Sequence, residues 1–444
     1  MADYLAGVGE LPVTPTVRPG DIRRALPAAP PASGEPFDAL FRDFRELVLP
    51  GMTHWNHPGW FAYFPCNNSP PSILGEMLTA TLDAQCMSWA TSPAATELEQ
   101  VVMDWLRQML GLPEGFVGVI QDTASTATLV ALLSARERTA SGGGTAGLTV
   151  YASTEAHSSV DKGARLAGYG PDHLRRIPTD EAFALRPEAL EQTIRADLAE
   201  GLRPACAVAT VGTTSSTAID PVPAIAEICR RHGVWLHVDA AYAGPAAIVP
   251  ELRWVLDGAA GADSLVLNPH KWLLTNFDCS AYYVRDPGAL LHAFQASPEF
   301  LRTAYDPEVV NFRDWGIPLG RRFRALKLWF VLRSYGVEGL QAMIRRHVAL
   351  ARELEGWIRA DPGFEVVAPV PLGLVCFRHV RPGVEDEDLD RLNQRLLERV
   401  NATRRVFLTH TRLRGRFVIR LVVGQRTTER EHVAEAWRLI RDAA

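Results

Sequence analysis

The sequence predicts an α/β protein: a mostly parallel sheet with helices on both faces, a smaller α+β unit after it, and an N-terminal arm before it. Three observations carry this. Between Phe116 and Val284, short apolar runs alternate with stretches of helical periodicity. Beyond about Leu328 the alternation stops. Up to about residue 50 the chain is rich in proline and alanine, with Pro27, Pro30 and Pro31 close together, and cannot form a core of its own. At 444 residues and 47% hydrophobic, the whole can bury a large interior in two or three units.

An amphipathic helix is expected over 37–48. The segment from His54 to Pro65 crowds tryptophan, phenylalanine and tyrosine into a proline-interrupted loop, as a pocket wall, an interface or ordinary loop packing would. Strands are predicted over 116–120, 148–152, 205–211, 234–238, 264–267 and 281–284. Helices begin near Thr123, Ser158, Pro187, Pro221 and Glu251, two of them with proline in the first turn. Ser141-Gly142-Gly143-Gly144 reads as a loop. In the last unit helices are expected over 327–335, 339–357 and 428–443, with strands near 372–377 and 417–423. The units divide as 1–69, 70–328 and 329–444.

A net charge of −5, with 22% charged residues spread along the chain, offers no basic field for nucleic acid. The apolar runs are strand-sized and too short for a bilayer. No basic stretch precedes an apolar one at the N-terminus, so a cytoplasmic location is expected. The six cysteines show no metal-ligand spacing and read as reduced core residues; no metal is expected.

Open α/β sheets bind ligands beyond the carboxyl ends of their strands. The residues there are Thr123-Ala124-Ser125, His157, Thr213-Thr214, Asp239 with Ala241, and Asn268-Pro269-His270-Lys271. Thr123 to Ser125 could hold an anion with free N–H groups and hydroxyls, or could simply cap a helix. Lys271, between His270 and Trp272, is either a snorkelling cation or a desolvated amine nucleophile. Asp239 ends the apolar run Val234–Val238, where a carboxylate has to find a cation or donors. One ligand suits the whole set: a pyridine ring carrying a phosphate and an aldehyde. Lys271 would form the Schiff base, Asp239 would keep the ring nitrogen protonated, and the Thr123–Ser125 turn would take the phosphate.

The segments His237-Val238-Asp239-Ala240-Ala241-Tyr242-Ala243-Gly244 and Asn268-Pro269-His270-Lys271-Trp272 resemble those of the group II pyridoxal-phosphate-dependent decarboxylases. The nearest likeness is to the aromatic L-amino acid decarboxylases and aromatic aldehyde synthases. It extends through Thr53-His54-Trp55, Tyr63-Phe64-Pro65, Trp89 to Glu99, Ala156-His157-Ser158-Ser159, Asn276 to Ser280 and Ile317 to Phe323. The resemblance implies a fold type I enzyme with a seven-stranded sheet, pyridoxal 5'-phosphate as cofactor, and a homodimer with sites at the interface and the arm packed on the partner. His157 would stack on the cofactor ring and Ala241 would meet its other face. Thr123, Ala124, Ser125, Asn268 and His270 match phosphate-side positions, and Thr214 one near the ring substituents. Asp122 stands where glycine is common in the family's turn. Trp55, Tyr63, Phe64, Pro65 and Cys66 would line the substrate pocket, joined from the partner by Gln85 and Met87, which are more apolar or aromatic in many relatives. Gly320 matches a serine of plant relatives that favour phenolic substrates, so the glycine would leave room for a larger ring such as indole.

One departure bears on the product. Amine-forming relatives carry a tyrosine in a mobile loop, whose hydroxyl returns a proton to Cα after carbon dioxide leaves. The matching residue here is Phe300. By resemblance to the aldehyde synthases, the carbanion would persist until dioxygen attacks it, giving an aldehyde, ammonia and hydrogen peroxide. Tyr305, further along the loop, is the alternative proton donor, which would leave an ordinary amine-forming enzyme. An aminotransferase and a silent cofactor-binding relative are the rival classes. Arg420, on a predicted strand, could neutralise a carboxylate or form a surface salt bridge.

Overall fold

The computed structural model describes residues 1–140, 144–296 and 298–444. Most of the loop expected at Ser141–Gly144, namely residues 141–143, lies outside that description, as does Ser297. Seven strands form the main sheet: β1 Val117–Gln121, β2 Leu148–Ser153, β3 Leu174–Ile177, β4 Arg203–Thr210, β5 Trp235–Asp239, β6 Ser264–Leu267 and β7 Ser280–Val284. Their order is β1-β7-β6-β5-β4-β2-β3. The pairings from β3 to β6 are parallel, and β7 runs antiparallel to both of its neighbours. Every residue of β2, β5, β6 and β7 is buried, which is why these strands read as unbroken apolar runs.

In the main sheet, β3 is the strand that the apolar pattern does not predict. It is an edge strand with the sequence Leu-Arg-Arg-Ile. Arg175 and Arg176 point to partly solvated ion pairs with Asp197 and Asp161 rather than into the core. Near Glu251 the expected α-helix is a 3-10 segment, Pro250–Leu256.

A second sheet contains β8 Phe364–Val366, β9 Leu374–His379, β10 Thr409–Leu413 and β11 Arg416–Val422, in the order β10-β11-β9-β8 and wholly antiparallel. Helices Asp386–Ala402 and Arg430–Ala443 pack with it. The helices expected over 327–335 and 339–357 are two halves of Arg324–Arg359, broken at Gly336, whose φ of 63° is one that glycine adopts without strain.

Two contacts fix the two sheets together next to the strand ends. The Trp272 indole N–H donates to His347 Nδ1 at 2.9 Å, and His347 Nε2 donates to the Gln425 carbonyl at 3.1 Å. The Asn67 amide donates to the carbonyls of Lys271 and Gly424.

The arm lies partly on its own chain. Val13 is fully buried with Trp60 and Phe407, and its N–H donates to the Arg404 carbonyl at 2.8 Å. The expected helix over 37–48 begins as the α-helix Phe37–Asp43 and continues as a π-helical turn, Phe44–Val48. Its Phe37, Leu40, Phe41 and Phe44 are exposed. No helix among the described residues is long and apolar enough to cross a membrane. All six cysteines are free thiols, and all but Cys66 are buried.

Candidate active site

The carboxyl ends of β1, β2, β4, β5 and β6 converge on a cavity of about 220 Å³. Its lining is Phe64, Thr123, Ala124, Ser125, His157, Thr210, Gly212, Thr214, Asp239, Ala241, Tyr242, Asn268, His270 and Lys271. Residues 207 positions apart in the sequence, from Phe64 to Lys271, thus share one space, because parallel strands deliver their ends to the same edge of the sheet.

Lys271 sits in the short helix Pro269–Trp272 that follows β6. Burial pushes its pKa down, and the nearby Asp239 charge partly opposes that fall. Among the described residues Lys271 enters no ion pair, and its Nζ lies 5.4 Å from the Phe64 ring centroid. Phe64 in turn stacks on Tyr242 at 3.8 Å, and Tyr242 on Trp272 at 4.9 Å, so a column of rings forms one wall of the cavity beside the amine.

Asp239 closes β5 and is 5% exposed. Its Oδ1 accepts the Ala241 N–H at 3.1 Å. It has no arginine or lysine bonded to it among the described residues, so its charge is left for a ligand. In register beside it on β4 is Thr210, whose buried hydroxyl has no partner among the described residues. A buried hydroxyl in the wall of a polar cavity, beside an unpaired carboxylate, fits a ligand with hydrogen-bonding groups.

The histidines are prepared as donors. His157 Nδ1 accepts from the backbone N–H of Ser159 at 3.1 Å, which leaves the proton of the neutral ring on Nε2. Burial holds its pKa down, against the pull of Asp239. His270 Nδ1 accepts the Cys279 N–H at 3.0 Å, so its proton also lies on Nε2. Burial, aided by the Lys271 charge, lowers its pKa to about 3. Asn268 Oδ1 accepts from Ser280 Oγ at 2.6 Å, which turns the Asn268 NH2 to the other side.

Helix Ala124–Ala140 starts at the cavity and turns first-turn N–H groups toward it, although the Thr126 N–H already donates to Thr123 Oγ1 at 3.3 Å. Asp122 takes one donor out of this turn: its Oδ1 accepts the Thr123 N–H at 2.6 Å. Together these groups make a cradle for an anion at one end and a flat cationic ring over Asp239 at the other, which is what pyridoxal phosphate requires.

Other residues singled out by sequence lie elsewhere in this chain. Trp55 and Tyr63 are partly exposed and stacked on each other at 5.7 Å. Pro65 is buried beside Gly424, and Cys66 is half-buried. Gln85 and Gly320 touch each other on an exposed face, and the Met87 carbonyl accepts the Arg313 N–H at 2.9 Å. Phe300 is 82% exposed. Arg420 makes no surface salt bridge: it is 3% exposed and donates to the carbonyls of Thr214 and Ser215 and to Thr409 Oγ1. Thr210, Gly212 and Tyr242 went unpredicted as cavity residues. The signal for Thr210 was a lone hydroxyl ending an otherwise apolar strand.

Fold and site together define a fold type I pyridoxal-phosphate enzyme. Residues 19–380 match the pyridoxal-dependent decarboxylase conserved domain. The chain is 46% identical to phenylacetaldehyde synthase of Arabidopsis thaliana over 457 residues, covering 100% of this chain and 93% of that one. It is also 46% identical to aromatic-L-amino-acid decarboxylase of Sus scrofa, covering 100% and 94%. A crystal structure of Oryza sativa TDC with PLP and tryptamine superposes with a TM-score of 0.97 at 43% identity, covering 100% of this chain and 94% of that one. Rhodiola rosea 4-hydroxyphenylacetaldehyde synthase superposes with a TM-score of 0.94 at 37% identity, covering 100% and 95%. The chain belongs to the pyridoxal-dependent decarboxylases, within the group that contains aromatic amino acid decarboxylases and aldehyde synthases.

Proposed function

We propose that this enzyme decarboxylates an aromatic L-amino acid and couples the loss of carbon dioxide to oxidative deamination. Amino acid, dioxygen and water would yield an aryl acetaldehyde, carbon dioxide, ammonia and hydrogen peroxide. Phe300 carries this reading: at the loop position where amine-forming relatives place a tyrosine, this chain has a ring with no proton to give.

Bound pyridoxal phosphate supplies an electron-withdrawing ring that takes up the electrons left behind by the departing carboxylate. Lys271 would hold its aldehyde carbon and Asp239 its ring nitrogen. Thr123, Ala124, Ser125, Asn268 and His270 would hold its phosphate. His157 and Ala241 would cover its two faces, with Thr214 near the ring substituents.

The chain's own groups then act as follows. Asp239 is buried without a cation, so it favours a protonated nitrogen opposite it and resists that proton's loss. Lys271, desolvated, has a larger share of neutral amine than a surface lysine and so is a better nucleophile. His157 carries its proton on Nε2, a donor for reduced oxygen on its way to peroxide. Phe300 cannot protonate Cα.

A second reading, an amine-forming decarboxylase, is favoured by Tyr305 in the same loop. The Tyr305 ring packs on Trp89 with centroids 4.9 Å apart and is absent from the cavity lining of its own chain. A homodimer forms part of the proposal. Exposed Phe37, Phe41 and Phe44 on one helix, and Leu74, Met77, Leu78 and Leu82 on helix Pro70–Leu82, give apolar faces suited to a second copy.

The experiment is product analysis with phenylalanine, tyrosine, dihydroxyphenylalanine and tryptophan, measuring carbon dioxide, amine, aldehyde and peroxide together. Aldehyde and peroxide equal to carbon dioxide supports the proposal. Amine equal to carbon dioxide without peroxide overturns it.

A further inference from the structure

Lys271 sits on a helix of four residues, too short to satisfy its own carbonyls. Asn67 satisfies two of them. Its backbone N–H donates to the His270 carbonyl at 3.0 Å, and its side-chain Nδ2 donates to the Lys271 carbonyl at 2.9 Å. These carbonyls belong to the two planar peptide units that flank the Lys271 Cα. With both units held by one residue, the direction in which the lysine side chain leaves the backbone is set.

Asn67 is itself 1% exposed and fully engaged. Nδ2 donates a second time, to the Gly424 carbonyl at 2.6 Å, and Oδ1 accepts the Arg426 N–H at 3.0 Å. A backbone donor on Oδ1 and carbonyls around Nδ2 admit one orientation of the amide. The residue thus joins the loop that carries Phe64, the lysine helix and the stretch 424–426 that follows β11. A β-carbon at Gly424 would stand 2.7 Å from Pro65 Cγ, so the glycine lets the loop come this close. The same segment runs on beside the chain beyond the lysine. Ser69 Oγ donates to the Leu274 carbonyl at 2.8 Å, and the Asn276 N–H donates to Ser72 Oγ at 2.7 Å. Of these three residues, Asn67 is the one that reaches the peptide units next to Lys271.

We propose that Asn67 is a positioning residue for Lys271: by clamping the backbone on both sides of the lysine, it aims Nζ at the cofactor's aldehyde carbon. This rests on the proposed role of Lys271 in holding the cofactor. The step it serves is attachment, in which Nζ bonds to the aldehyde carbon and the aldehyde oxygen leaves as water. Such a step needs close and aligned approach, and a misplacement of about 1 Å in a reacting group can cost on the order of 100-fold in rate. The phosphate and ring are held from other strand ends, so Asn67 should govern attachment without governing affinity.

The test separates the two. Full-length protein freed of cofactor is mixed with pyridoxal 5'-phosphate, trapped with borohydride at successive times, and the reduced cofactor is located by peptide mass. In Asn67→Ala, attachment to Lys271 should slow about 10- to 100-fold. The dissociation constant for pyridoxine 5'-phosphate, which has an alcohol in place of the aldehyde, should stay as in the native protein. An unchanged attachment rate overturns the proposal, and so does an equal loss of affinity for the alcohol, which marks general loosening. Ser69→Ala removes a bond of the same segment farther from the lysine and should attach the cofactor at the native rate; slowing equal to that in Asn67→Ala overturns the proposal. If Asn67→Ala does not fold, Asn67→Asp keeps the acceptor for Arg426 and, protonated by its burial between two carbonyls, one donor. It should also slow attachment, and a native rate overturns the proposal. Reduced cofactor on another lysine of the native protein refutes the role of Lys271, and this inference with it. Cofactor on Lys271 in the native protein with unchanged attachment in the variants refutes this inference alone.

Discussion

Tyr305 packs its ring against Trp89 at 4.9 Å, while Phe300, in the same loop, is 82% exposed. The loop thus rests its hydroxyl-bearing ring, itself 52% exposed, on Trp89 and leaves the ring without a hydroxyl more exposed still. The packed position is secured by Asp306, which accepts from Thr303 Oγ1 at 2.6 Å and from the Asn311 amide at 3.1 Å. Phe300→Tyr should therefore turn the product from aldehyde to amine, since a general acid at Cα is worth about 100-fold or more. Tyr305→Phe should leave the native product ratio unchanged. Peroxide and amine yields, read against carbon dioxide, check both variants.

Asp239 should be the most sensitive carboxylate in the chain. Asp239→Asn keeps the shape and removes the charge opposite the cofactor's ring nitrogen. We expect kcat to fall on the order of 100- to 1000-fold with saturating pyridoxal phosphate, as when one preorganised electrostatic group is lost. Cofactor absorbance, measured alongside, separates weak binding from slow chemistry.

Thr210 separates cofactor binding from folding. Its buried hydroxyl has no partner among the described residues, so Thr210→Val should leave the cofactor-free protein as stable as the native one or slightly more so. If the cofactor satisfies that hydroxyl, its dissociation constant should rise about tenfold. Thermal unfolding with and without pyridoxal phosphate reads both effects.

Acid should destabilise the protein through histidines buried in the neutral form. Burial lowers His347 to about 3, His270 to about 3, and His237 and His57 to about 4. For a base with a depressed folded pKa, the unfolded chain takes up the proton first. The stability is complete above the unfolded value near 6.5 and drains away as pH falls toward 3 to 4. His347 uses both ring nitrogens, one accepting from Trp272 and one donating to Gln425. His347→Gln should lower Tm at pH 8 and flatten its decline between pH 7 and pH 5, as one proton fewer is taken up on unfolding.

Local pattern was enough to find most of the site. Strands β2, β4, β5 and β6 were legible because burial on both faces forces unbroken apolar runs, and Asp239 and Lys271 stood out because each breaks such a pattern with a charge. β3, β8 and β10 were illegible for the opposite reason: an edge strand pairs on one side only and can afford a polar face. Arg420 looked equally fit for the surface, since nothing local says that Thr214, Ser215 and Thr409 will surround it.

By itself the sequence determined the α/β class, the order of the groups beyond the strand ends and the chemistry they can hold, because periodicity and residue type are local properties. Tertiary structure alone decided which of those groups meet. Parallel pairing brings Thr210 level with Asp239, the Trp272–His347 bond locks the Lys271 helix to the second sheet, and the contact of Gln85 with Gly320 fills a space that glycine alone would leave open. Each of these depends on distances between residues far apart in the chain, which only the packed fold can set.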